Sequence, residues 1–188
     1  MLILKQRLTI LPIRLTEILV CGIKTIRRIL CIIYGFIFGY IWIHLWPNAY
    51  KNDRTALSDQ LLGNGRTDFY FSKEENKGYI NRLNFKVDDE VAEIKGHPRH
   101  QDIVQLILPK PLAPGTSITI QTPFNVKIPH VFSRSGHVGN SFQLTQWYPK
   151  PAVYDKKGWH PMPYLDQGEF YSEFGNYNVV TVSLEIIM

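Results

Sequence analysis

From Ser141 to Phe174 the chain reads SFQLTQWYPKPAVYDKKGWHPMPYLDQGEFYSEF, and no other stretch restricts the fold as strongly. Pro149, Pro151, Pro161 and Pro163 exclude a helix, because each removes a backbone donor and clashes with the preceding turn. The rings of Trp147, Tyr148, Tyr154, Trp159 and Tyr164 are too much apolar surface for a solvated linker. The stretch must therefore lie extended against a core that the rest of the chain supplies.

That core reads as β. Tyr79–Val87 alternates, with Leu83, Phe85 and Val87 on one side and Arg82, Asn84 and Lys86 on the other, which predicts a half-buried strand. Asp88-Asp89 makes a turn, and Val91–Lys95 is expected to return. Ile103–Leu108 is apolar on both faces, and Pro109, Pro111 and Pro114-Gly115 predict a loop after it. Thr116–Thr122 alternates again, and Val126 and Ile128 resume after a break expected at Pro123. One short helix is expected through Leu57, Leu61 and Leu62, capped by Asp53 and stopped by Gly63. Phe69–Phe71 reads as a short extended piece. Turn signals at such short intervals predict a mainly β fold, an antiparallel sandwich or saddle-like sheet, with an apolar, helical leader before it.

The leader carries the charge. Lys5, Arg7, Arg14, Lys24, Arg27 and Arg28 stand against Glu17 alone in residues 1–50, which accounts for the whole net charge of +5. Residues 51–188 are neutral overall and lack the electrostatic term that nucleic-acid binding needs. Both cysteines, Cys21 and Cys31, also lie early, so the later domain has no disulfide framework.

Residues 29–50 contain no Asp, Glu, Lys or Arg. Ile29–Trp46 could lie in a bilayer as an anchor, with Arg27-Arg28 on the inner side, membrane contact through residues 29–46 and the domain extracytoplasmic. Alternatively, Ile41–Trp46 is a β-strand stopped by Pro47-Asn48, which shortens the apolar run to about 29–40. The two readings overlap. The domain division is 1–40 for the leader and 41–188 for an incomplete β-domain.

Catalytic chemistry is sparse. His97 and His100 are separated by a proline that disfavours a shared helix face, no His-Glu-x-x-His occurs, and no metal site is expected in this chain. The loop around Ser133, Ser135 and Ser141 lacks a Gly-x-Ser-x-Gly elbow. Asp166, Glu169 and Glu173 read as solvated carboxylates on a strand through Tyr164–Phe174.

TQWYPKPAVYD followed by GWHPMPYLDQGEFYSEFGNYNV resembles the N-terminal β-domain of the bacterial aminopeptidase N-like zinc metallopeptidases, peptidase family M-one. HLWPNAYKND and TALSDQLL resemble the same branch, so the likeness covers about residues 41–178. It implies a saddle-like domain covering the active site of a separate catalytic domain, where zinc activates water for peptide hydrolysis. A Gln-x-Glu or Gln-x-Gln motif binds the substrate's amino terminus in that family. Gln146, Trp147 and Tyr148 occupy its place and are the substrate-proximal candidates; no catalytic residue is expected. Tyr148 departs from the motif, since a phenol offers no carboxylate to an ammonium. The implied partners are the catalytic metallopeptidase domain and, in an intact relative, a peptide; zinc belongs to that other domain. The dissimilar leader and the drift after Val179 lead us to expect a truncated, non-catalytic fragment. The alternative is a membrane-anchored module with Trp147, Tyr148, Tyr154 and Trp159 as a platform for a peptide or glycan.

Overall fold

The computed structural model describes residues 18–23, 38–173, 177–180 and 182–183. They form antiparallel sheets with one α-helix. β1 (Ile18–Ile23) and β2 (Phe38–His44) belong to different sheets, and Ile41 and Ile43 of β2 are turned inward, as alternation along a strand dictates. β3 (Tyr79–Asn81), β4 (Lys86–Val87), β5 (Glu90–Val91) and β6 (Ile94–Gly96) are short. β7 (Ile103–Leu112) and β8 (Ile120–Lys127) are the long central strands.

β8 is flanked by β1 on one edge and by β3 and β4 in succession on the other. β7 lies between β2 and β6, and β11 (Lys150–Pro151) pairs with the far edge of β2. Two hairpins complete the sheets: β9 (Gly136–Val138) with β10 (Ser141–Gln143), and β12 (Val153–Asp155) with β13 (Gly158–His160). β14 (Val182–Ser183) pairs with β1. Ile41, Ile43, Leu106, Ile120, Phe124 and Val126 pack in one core shared by the β7 and β8 sheets.

Of the two readings of the apolar run, the structure shows the strand over Phe38–His44. Ile41, Ile43, Leu45 and Trp46 are buried within the protein and offer no surface to lipid. Residues 24–37 lie outside the described residues, and among the described residues no helix is long and apolar enough to cross a membrane. Phe38–Tyr40 belong to β2, and Ile18–Ile23 forms a strand.

Prolines interrupt less than expected. β8 runs straight through Pro123, which sits between the residues paired with β4 and those paired with β3, where no ladder donor is required. β7 likewise continues past Pro109 and Pro111 to Leu112, because these prolines fall where the β2 register shifts between Phe38 and Tyr40.

Other boundaries move for local reasons. Tyr79–Val87 breaks at Arg82, whose φ is 56°. The break lets Ile80 and Phe85, which alternation would set on opposite faces, both reach the core. Asp88-Asp89 is the expected turn, with φ of 47° and 69°, the two positive values that a tight two-residue hairpin loop requires. The return strand divides into β5 and β6, which join different sheets.

The helix α1 (Ala56–Gly63) is capped by Thr55 rather than Asp53. Thr55 Oγ1 donates to Ala49 O (2.7 Å) and accepts from Ser58 N (3.3 Å), a position from which the earlier Asp53 is displaced by two residues. Gly63 ends the helix and the chain reverses at Asn64-Gly65, where Gly65 takes φ 76°. Phe69–Phe71 is a turn, not an extended piece, with Phe71 N donating to Thr67 O. A second core of Trp46, Tyr50, Leu57, Leu61, Phe69, Phe132 and Tyr164 gathers under α1.

Gly136 is fixed by crowding. A Cβ there would stand 2.6 Å from Val131 Cα and 2.9 Å from His130 O, both backbone atoms that cannot swing away. Gly136→Ala is expected to lower stability by about 1–3 kcal/mol in chemical denaturation, as other overpacked sites do.

Candidate functional site

The proline-rich stretch is held by a clamp that begins in β2. In Pro161-Met162-Pro163-Tyr164 only Met162 and Tyr164 carry backbone donors, and in an extended chain those two point to the same side. Met162 N donates to His44 Nε2 (3.1 Å), and Tyr164 N donates to Asp102 Oδ2 (2.7 Å). Trp46 Nε1 donates to Met162 O (3.0 Å) between them. His44 and Trp46 are stacked with ring centroids 4.3 Å apart.

Both acceptors are buried, with opposite consequences. Burial, reinforced by the Lys150 ammonium, lowers the His44 pKa to about 3. The neutral imidazole is the form the geometry needs, since Nε2 must accept. Burial raises the Asp102 pKa to about 6, opposed by the Tyr164 N–H, which favours the carboxylate. Neither residue stands out in the sequence by motif or spacing.

From Tyr164 to Glu173 the chain is irregular, which corrects the strand expected over Tyr164–Phe174 as far as the described residues reach. Side chains replace the missing ladder. Gln60 Nε2 donates to Gln167 O (3.2 Å) while Gln167 N donates to Gln60 Oε1 (2.9 Å). The Arg134 guanidinium donates to Asp166 O (3.0 Å) and Gly168 O and lies 4.7 Å from the Phe170 ring centroid. Glu169 and Glu173 are exposed, and Asp166 lies 3.7 Å from Arg66.

The substrate-proximal candidates lie where β10 gives way to β11. Gln146 has φ 55°, a left-handed conformation that a non-glycine residue adopts at some energetic cost. Its Oε1 accepts from Lys150 Nζ. Lys150 is positioned through β11, where it pairs with His44, and Ala152 N donates to Trp42 O (2.8 Å) just beyond. The ammonium lies 5.1 Å from the Tyr148 ring centroid and 5.8 Å from that of Trp46. Tyr148 packs on Trp147 (5.7 Å) and Tyr177 (5.2 Å), and Trp147 packs on Phe124 (6.2 Å). Burial lowers the Lys150 pKa and raises that of Tyr148; Tyr177 is pushed up to about 12 by burial and by Tyr148.

Tyr154 and Trp159 sit elsewhere. They face each other across the β12–β13 hairpin (5.1 Å) and pack on Phe38 (4.6 and 5.5 Å). The four residues expected as one platform are thus two aromatic pairs with different neighbours. Beside the second pair, Asp155 Oδ1 and His160 Nε2 are 2.8 Å apart, and the contact with His160 lowers the Asp155 pKa.

Metal-binding capacity follows the same pattern. His97 and His100 are stacked at 4.9 Å, but His97 Nδ1 already accepts from the backbone N–H groups of Arg99 and His100 (3.2 Å each). Among the described residues no three His, Cys, Asp or Glu side chains converge as a metal set. Ser135 is structural: its Oγ donates to Gln143 O (3.4 Å) and accepts from Thr145 N (3.2 Å).

In comparison with known proteins, no family model, curated protein or solved structure matches this chain.

Proposed function

We propose that the β-domain is the substrate-side wall of an aminopeptidase N-like zinc metallopeptidase, a non-catalytic piece whose saddle-like face covers a separate catalytic domain. The observation that carries this reading is Gln146, held at φ 55° with its carboxamide oxygen fixed by Lys150. Backbone strain of this kind costs of order 1–3 kcal/mol and is concentrated where a side chain must be aimed. Arg82, Asp88 and Asp89 also take positive φ among the described residues, and Gln146 is the one of the four that the resemblance assigns to substrate. Further support comes from the wording of Trp147–Phe174.

On this reading zinc, held by the other domain, supplies the activated water and polarises the scissile carbonyl. The residues of this chain bind and orient. Gln146 retains its Nε2 donors, Tyr148 offers a hydroxyl, and the clamp on Met162 and Tyr164 keeps the adjoining wall in place. The same reading sets the domain outside the cytoplasm.

The expected partner is the catalytic domain itself. Mixed with a separately expressed catalytic domain of such a peptidase, the full chain is expected to co-elute in size-exclusion chromatography. Independent elution at micromolar concentration would count against the proposal.

A further inference from the structure

Among the described residues Lys150 is a half-buried cation without an anion. Its ammonium donates to the neutral Gln146 carboxamide, and no carboxylate forms an ion pair with it among the described residues. Its cross-strand neighbour His44 is buried and supplies no negative charge. The Tyr148 and Trp46 rings, at 5.1 and 5.8 Å, offer only the partial compensation of a cation–π contact.

An ammonium taken partly out of water and left unpaired gains most from a ligand that restores a counter-charge. The groups around it point the same way. Gln146 accepts from Lys150 through its carboxamide oxygen and keeps its amide donors, and Tyr148 adds an O–H. The Lys150 ammonium, the Gln146 amide and the Tyr148 hydroxyl can each donate, and none of them carries a negative charge. A free amino terminus meets repulsion from Lys150 and finds no carboxylate to hold it.

We infer that Lys150, flanked by Gln146 and Tyr148, forms a position for a carboxylate of a peptide ligand, so that this wall selects acidic rather than amino termini. The inference rests on the proposed function only for taking peptides as the ligand class. The carboxylate can be a peptide's C-terminus or an acidic side chain, since both present the same acceptor pair. Lowering of the Lys150 pKa by burial is consistent with a cation that has no partner.

The test is an NMR-detected titration of the full chain with four short peptides. N-acetyl-glycyl-glycine carries a terminal carboxylate, and N-acetyl-glutamyl-glycinamide carries a side-chain one. N-acetyl-glycyl-glycinamide has neither, and glycyl-glycinamide has a free amine. At least one carboxylate peptide is expected to bind about tenfold or more tighter than the two without, as a charge-assisted contact implies. Whichever carboxylate binds tighter identifies the source. Lys150→Met keeps the aliphatic stem and should erase the preference, Lys150→Arg should retain it, and Tyr148→Phe should weaken it a few-fold. Denaturation midpoints report whether each variant folds; should Lys150→Met unfold, the Tyr148→Phe and Lys150→Arg results decide. Equal binding of acid and amide, a preference for the free amine, or an unchanged preference in folded Lys150→Met would overturn the inference. These outcomes are separate from co-elution with a catalytic domain, so either proposal can fail while the other stands.

Discussion

Trp46→Ala is expected to lower the stability of the full chain by about 3–5 kcal/mol, the range for removing a large buried aromatic side chain. Trp46 is 1% exposed and joins three parts of the molecule. Its ring stacks on His44 at the end of β2 and packs at 4.7 Å on Phe170, while its N–H holds Met162 O. Truncation removes all of these and leaves the Met162 carbonyl without its donor. Trp46→Phe keeps most of the apolar contact and loses the hydrogen bond, so a smaller loss of about 1–2 kcal/mol is expected. Urea denaturation measures both. A loss below about 1 kcal/mol for Trp46→Ala would mean that the clamp closes without it.

The clamp should also respond to acid through two residues whose effects oppose each other. His44 titrates near pH 6.5 when unfolded and about 3 when folded, so between those values the unfolded chain binds more protons. Its contribution to stability is therefore lost as pH falls from 6.5 to 3, by up to about 5 kcal/mol. Asp102 moves the other way, from 3.8 unfolded to about 6 folded. Here the folded chain binds more protons, and stability falls by up to about 3 kcal/mol as pH rises from 4 to 6. Between pH 4 and 6 the two slopes cancel. Asp102→Asn keeps an acceptor for Tyr164 N but cannot ionise. It is expected to be more stable than the unaltered chain at pH 7, by up to about 3 kcal/mol, and little different at pH 4. His44→Gln keeps an acceptor for Met162 N and should instead gain stability from pH 6 to 4. Urea denaturation at pH 4, 5, 6 and 7 separates the two residues. Parallel pH profiles for both variants and the unaltered chain would contradict these assignments.

The sequence made the β character legible because alternation in Phe85–Val87 and Ile118–Ile120 is a local signal. The Asp88-Asp89 turn was legible for the same reason. Proline misled where it was read by itself: Pro109, Pro111 and Pro123 are harmless because their neighbouring strands shift register or end there, and only the pairing partner reveals that. The cap on α1 went to Thr55 because a distant carbonyl, Ala49 O, fixes its hydroxyl. His44 and Asp102 were least visible. Their role depends on donors at Met162 and Tyr164, far along the chain, that become buried only when the two segments meet. The alternating prolines at 161 and 163 were the available clue, since they leave two donors on one side in need of acceptors.

Gln146, Trp147 and Tyr148 entered as candidates through resemblance, and the structure adds the strain at Gln146 and, beside it, Lys150 with no ion-pair partner among the described residues. Whether this domain works only as part of a peptidase is tested most directly by zinc-dependent turnover of unblocked and acidic peptides. The purified full chain with added zinc is expected to show none above buffer, and adding a separately expressed catalytic domain to shift that domain's KM. Zinc-dependent turnover that co-purifies with the chain alone would contradict the proposed non-catalytic role.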